Sequence, residues 1–106
     1  MKIGIILETN EPEQAWNGVR FGNAALVQGH EVKIFLMGAG VEIDNITHEN
    51  FNAKQQLEVF IENDGVVLAC GTCLRSRQQG EIDHCQTSSM NDCVRMVEWA
   101  DKILTF

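Results

Sequence analysis

The sequence predicts an α/β fold in three layers, with helices on both faces of a mostly parallel five-stranded sheet. Three observations carry this expectation. Apolar runs such as Ile3-Gly4-Ile5-Ile6-Leu7 and Val66-Val67-Leu68-Ala69-Cys70 are continuous rather than alternating, which is the pattern of strands buried on both faces. The segments between them repeat apolar residues at helical spacings of three and four. Strand and helix alternate along the chain, and that order requires right-handed crossovers between parallel strands.

Each element follows from local signals. Residues 2–8 read as a central strand. Asn10, with Pro12 and then Glu13, marks a helix start in which the Asn side chain caps free backbone N–H groups. Ala15, Val19, Gly22 and Leu26 give that helix one face without polar side chains, and Gly29 stands where a helix stops. Val32 to Met37 is the second strand, and Gly38-Ala39-Gly40 is a flexible turn at its C-terminal end, where α/β proteins place binding loops. Residues 41–52 show no clear period and read as a loop or short irregular helix. Asn52 with Gln55 caps a second helix, whose apolar face is Leu57, Phe60 and Ile61 and whose end is Asp64-Gly65. Val66 to Ala69 is the third strand, and the stretch from Cys70 to Gly80 is a loop leading into a short helix. Glu81 to Asp83 reads as a short strand. Ser88 or Ser89 caps a last helix with Met90, Val94, Val97 and Cys93 facing inward, and Ile103 to Phe106 closes the sheet.

A chain of 106 residues with 44% hydrophobic content suits one core, so residues 1–106 are expected to form a single domain. No apolar run approaches the ~20 residues of a membrane span, and the N-terminal stretch lacks the form of a signal peptide. A cytoplasmic location is therefore expected. Eight basic against fifteen acidic residues leave a formal charge of −7, which argues against nucleic acid as a partner because such binding draws on basic contacts to phosphate.

The four cysteines are spaced C-x2-C-x11-C-x7-C. In a reducing compartment they are expected to be buried, catalytic or metal-binding rather than a disulfide framework. Cys70 ends a strand and Cys73 sits at the start of a helical turn. The positive end of the helix dipole, with Arg75 and Arg77 following, would favour the thiolate and make the sulfur nucleophilic. The competing explanation for Cys70 is a small apolar residue finishing its strand. Cys93 falls on an apolar helix face and reads as core, whereas Cys85 lies in a polar loop beside His84. The spacing matches neither a zinc ribbon nor a ferredoxin run, although zinc or iron–sulfur ligation by Cys70, Cys73, Cys85 and His84 is the second chemistry the residues allow.

Other groups carry less. Glu8 ends the first strand as a solvated or capping carboxylate. His30 and His48 have no partner at catalytic spacing, and Trp16 and Trp99 are helix packing residues. No Walker sequence, Gly-x-Gly-x-x-Gly turn or serine elbow is present.

The segment Val67-Leu68-Ala69-Cys70-Gly71-Thr72-Cys73-Leu74-Arg75, with the ending Trp99-Ala100-Asp101-Lys102-Ile103-Leu104-Thr105-Phe106, resembles the DsrE/DsrF-like sulfur-relay family. The resemblance implies a persulfide carrier or sulfurtransferase with Cys70 as the sulfur-bearing position. It also implies a five-stranded parallel sheet between helices, assembly into homo- or hetero-oligomers, and sulfur donor and acceptor proteins as partners. No organic cofactor is called for. Cys73 is an addition that many relatives lack, able to resolve a persulfide on Cys70 as a disulfide or to accept sulfur itself. Gly71, Thr72, Arg75 and Arg77 are the candidates to bind the anionic sulfur. Some family members lack the transfer cysteine and act only as subunits, so a noncatalytic role is the third reading.

Overall fold

Alternate residues of the first strand divide between two helical layers, and the rest of the architecture follows from that division. The computed structural model describes residues 1–106. Strand β1 (Lys2–Leu7) leads through helix α1 (Pro12–Val27) to β2 (Glu31–Leu36). A 3-10 helix (Gly38–Asn45) and α2 (Ala53–Glu62) then lead to β3 (Val66–Cys70), which passes directly into α3 (Gly71–Ser76). The chain ends with β4 (Gln86–Ser88), α4 (Met90–Trp99) and β5 (Lys102–Thr105). On β1, Ile5 and Leu7 lie against Gly22 and Gly18 of α1, while Gly4 lies under Met96 of α4.

All five strands are parallel, in the order β4-β3-β2-β1-β5. The register pairs Ile5 with Ile34 and with Leu104, and Phe35 with Leu68. From β1 to β4 the chain steps in one direction; the last crossover returns past β1 to the opposite edge. Right-handed crossovers therefore put α1 and α2 on one face and α4 on the other, in agreement with the packing of α1 on α2 and of α4 on β1. Phe35, Phe60, Ile5, Leu7, Ile34 and Leu36 are the largest fully buried side chains.

Several sequence expectations are corrected. Glu11, not Asn10, caps α1: its carboxylate accepts the N–H groups of Glu13 at 3.2 Å and Gln14 at 2.8 Å. Pro12 is the reason, because it holds the preceding residue extended and so makes Glu11 the last non-helical position. Gly38-Ala39-Gly40 is the first turn of the 3-10 helix rather than a flexible turn. The fourth strand is Gln86–Ser88, and Glu81–Asp83 is a loop that buries only Ile82. On α4 the inward residues are Cys93 and Met96, whereas Met90, Val94 and Val97 are exposed at 55%, 54% and 45%. Residues 94 and 97 follow 93 and 96 by one position, about 100° around the helix, so the apolar sector is wider than the contact with the sheet.

The caps at the other helices stand where the sequence puts them. Asn52 accepts the Gln55 N–H at 3.0 Å. Ser89 and Asp92 form a reciprocal capping box on α4. Gly29 takes a φ of +89° just past α1, a conformation that costs glycine little.

Candidate cysteine site at the C-terminal edge of the sheet

The C-terminal ends of β1, β2 and β3 present three loops to one another, and two cysteines sit among them. Cys70 closes β3 and is also the N-cap of α3, with φ −61° and ψ 114°. Cys73 is the third residue of the same helix. N-cap and third-position side chains face one another, the relationship a capping box exploits, so the C-x-x-C spacing brings the two thiols together. After burial, the proximity of Cys70 is one of the influences that push the Cys73 thiol up.

The 3-10 helix supplies the third side of the site. The Gly38 N–H donates to Cys73 Sγ at 3.1 Å. Gly38 has a φ of +54°, in the left-handed region that favours glycine. Gly40 lies flush against β1, because a Cβ there would fall on the Leu7 carbonyl. Glu42, from the same segment, receives the Arg77 Nε–H at 2.9 Å and the Asn10 amide at 3.5 Å, while Arg77 Nη1 donates to the Cys73 carbonyl at 3.3 Å. The chain after β1, the 3-10 helix and the end of α3 are thus tied together around Cys73. The Arg77 guanidinium, followed by Asn10, holds the Glu42 carboxyl below its ordinary value against the opposing effect of burial.

Exposure differs sharply between the thiols. Cys70 is 4% exposed and Cys93 5%, whereas Cys73 is half-buried. A Cβ on Gly71, beside Cys70, would meet Arg75 Nη1 at 3.1 Å, the Thr87 methyl at 3.2 Å and the Ser88 carbonyl at 3.5 Å. Arg75, Thr87 and Ser88 thus stand close around Gly71. Arg75 Nη2 also donates to Thr72 Oγ1 at 3.3 Å, so this guanidinium lies back over the first turn of α3.

The Cys73 thiol is raised above its ordinary value rather than lowered. Burial pushes Cys73 up; the Gly38 N–H and the Arg77 charge pull it back only in part. At six residues, α3 is too short to add a substantial dipole. Cys93 is likewise raised, first by burial and then by Cys70 and Glu8. Cys93 is thus within electrostatic reach of Cys70, a relation that its place on α4 hid in the sequence. Cys85 is elsewhere: burial, with the charges of Asp44 and Asp83, pushes it up to about 11. His84, Asp44 and Asp83 line an open cleft of about 510 Å³ floored by Leu57, Ile61 and Ile82. The four ligands of a zinc or iron–sulfur reading are accordingly split between two places, and no group of three or more His, Cys, Asp or Glu side chains is placed to hold a metal ion.

Of the predicted residues, Cys70, Cys73, Gly71, Thr72, Arg75 and Arg77 are gathered at this edge, but Arg77 is engaged by Glu42 rather than free. Gly38, Glu42 and Asn10 were not foreseen as partners. The Gly-x-Gly after β2 was the available signal for Gly38; nothing local marks Glu42, whose role depends on a partner 35 residues away. His30 meets the N-terminal amine through Nδ1 at 2.7 Å, and His48 stacks on Phe51 and accepts backbone N–H groups, so both histidines are occupied away from the thiols.

The family model described as DsrE/DsrF-like family matches residues 1–106. The chain belongs to the DsrE/DsrF-like family. That family is generally related to sulfur relay and to interactions between partners or within oligomers. An uncharacterized protein of Methanopyrus kandleri is 36% identical over 100 residues, covering 89% of this chain and 83% of its own length. Another, from Methanocaldococcus jannaschii, is 31% identical over 115 residues, covering all of both chains. The crystal structure of the ychN protein from E. coli superposes over 100% of both chains with a TM-score of 0.85 at 24% identity, a likeness of fold. No helix of this family member is long and apolar enough to cross a membrane.

Proposed function

We propose that this chain carries sulfane sulfur as a persulfide on the Cys70/Cys73 pair and passes it to the thiol of a partner protein. The observation that carries the reading is the meeting of two thiols at the open end of the sheet with a backbone N–H directed at one of them. In each transfer a thiolate attacks the outer sulfur of a persulfide, the donor S–S bond breaks, and the donor thiolate leaves with the electron pair. No organic cofactor or metal enters this exchange. Cys70 keeps the strand-end position that the family resemblance assigns to the transfer cysteine. Arg75, folded over Gly71 and Thr72, is the cation placed to meet an anionic sulfur there; Arg77 acts at one remove by fixing the carbonyl end of Cys73. Such chemistry suits the cytoplasm, where thiols are kept reduced.

Transfer needs partners, and the exposed stripe of Met90, Val94 and Val97 supports assembly as a homo- or hetero-oligomer through α4. The same stripe, with the burial of Cys70, favours a second reading in which the chain is a noncatalytic subunit. Intact-protein mass spectrometry after incubation with a sulfane-sulfur donor separates the two. For the carrier, the peptide containing the Cys70/Cys73 pair is expected either to gain one sulfur or to release that sulfur as sulfide and end as a disulfide. A chain that neither takes up sulfur nor releases sulfide under conditions where its partners take up sulfur would be the subunit.

A further inference from the structure

Within the persulfide reading, on which this step rests, we infer that Cys73 is the thiol that receives the sulfane sulfur and Cys70 the thiol that expels it as hydrosulfide, so that the protein reduces sulfane sulfur when no acceptor is present. Access decides the order. Cys73 is half-buried and open to a donor, while Cys70 is 4% exposed. Arg75, Thr87 and Ser88 stand close to Gly71, the residue beside it, which narrows the approach to that strand end. Sulfur on Cys73 instead extends toward the loop edge, with Sγ still taking the Gly38 N–H.

The N-cap and third-position geometry then supplies the second step. Side chains three residues apart on a helix have Cβ atoms about 5–6 Å apart, and a disulfide needs about 3.5–4.5 Å, so a small tightening of the turn closes the bond. The Cys73 thiolate first attacks the outer sulfur of a low-molecular-weight persulfide, and the donor thiolate leaves. Cys70 then loses its proton and attacks Cys73 Sγ. The Cys70–Cys73 disulfide forms, the bond from Cys73 Sγ to the outer sulfur breaks, and that sulfur departs with the electron pair and a proton as HS⁻. The sulfane sulfur is reduced by two electrons and the thiol pair is oxidised by two. An external dithiol reductant restores the pair. Partition between a waiting acceptor and Cys70 thereby determines whether sulfur is relayed or discharged.

The test uses glutathione persulfide as donor, added anaerobically to the reduced protein, with sulfide measured and peptides mapped. Wild type is expected to release sulfide stoichiometrically and to end with Cys70 linked to Cys73. Cys70→Ser should keep one added sulfur on Cys73 and release none, and Cys73→Ser should take up no sulfur. Persulfide on Cys70 in Cys73→Ser, or undiminished sulfide release by Cys70→Ser, would overturn the order while leaving the carrier reading in place. Absence of both sulfide release and bound sulfur in wild type and in both variants would overturn the carrier reading as well. Disulfide mapping in the wild type needs no substitution, and Cys70→Ala repeats the trap should the serine variant fail to fold.

Discussion

The ring of Phe60 occupies a slot made by two glycines, and this arrangement permits a quantitative test of how the helical layer seats on the sheet. Phe60 is fully buried. A Cβ on Gly65 would fall inside the van der Waals envelope of its Cδ2, Cε2 and Cζ atoms, and one on Gly22 of α1 would stand 3.0 Å from Cε1. Gly65 also closes α2 by donating its N–H to the Phe60 carbonyl at 2.9 Å. Its φ lies outside the left-handed region, so alanine there is opposed by the ring rather than by the backbone. Overpacking of this kind costs about 1–3 kcal/mol. Phe60→Ala would cost roughly 3–5 kcal/mol, a large share of the about 5–15 kcal/mol that a domain of this size commands, so leucine is the better partner variant. Leucine lacks the Cε and Cζ atoms, which removes two of the three close contacts, and its Cδ atoms sit on a tetrahedral carbon that can turn away from Gly65. Urea unfolding of wild type, Gly65→Ala, Phe60→Leu and the double variant gives the cycle. The Gly65→Ala penalty of about 1–3 kcal/mol should largely disappear in the leucine background, a coupling well above the ~0.5 kcal/mol expected of independent sites. Equal penalties in the two backgrounds would refute the idea that Gly65 is required by the ring.

Three further outcomes follow from the geometry. With its thiol at about 11, Cys85 should carry only about one thiolate in a thousand at pH 8 and resist iodoacetamide; Asp44→Asn should speed its labelling, and fast labelling of folded wild type would contradict the assignment. The folded Glu42 carboxyl is depressed below its ordinary value of 4.5, so the unfolded chain binds that proton first as pH falls. Its stabilising contribution is present above that value and is lost as pH drops through the folded one, so the stability gap between wild type and Glu42→Gln should narrow below pH 4.5; a gap constant with pH would sink the pairing with Arg77. Val94→Asp on the exposed stripe of α4 should leave the melting temperature nearly unchanged and reduce association in sedimentation, whereas loss of folding would mean that the stripe is internal.

Much of the sheet was legible because buried parallel strands announce themselves. The runs at residues 3–7 and 66–70 could bury no polar face, and each stands in the sheet as read. The fourth strand was not legible. Gln86–Ser88 has three polar residues and pairs only because β3 offers Leu68, Ala69 and Cys70 beside it, a tertiary cause with no local pattern. On α4 Cys93 faces inward as read, but its companion is Met96 rather than Met90, Val94 and Val97: the helix offers six apolar positions without saying which of two adjacent lines meets the sheet. At the site, the C-x-x-C spacing at a strand end sets both cysteines on one helical turn, as N-cap and third residue of α3. The direction of the Cys73 shift was not legible, because the balance between burial and the Gly38 N–H depends on a segment 35 residues away.

The brevity of β4 bears on how copies of this chain can meet. A three-residue edge strand that leads within two residues into the capped start of α4 exposes too few free backbone groups to template a neighbour's strand. At the opposite edge, β5 is four residues long and begins with a lysine. Growth by adding strands, the route to ribbons and fibres, is disfavoured at both ends of the sheet. Side-chain contact through the helices is left as the way to associate, and contact of that kind closes on itself after a fixed number of subunits when its symmetry is rotational.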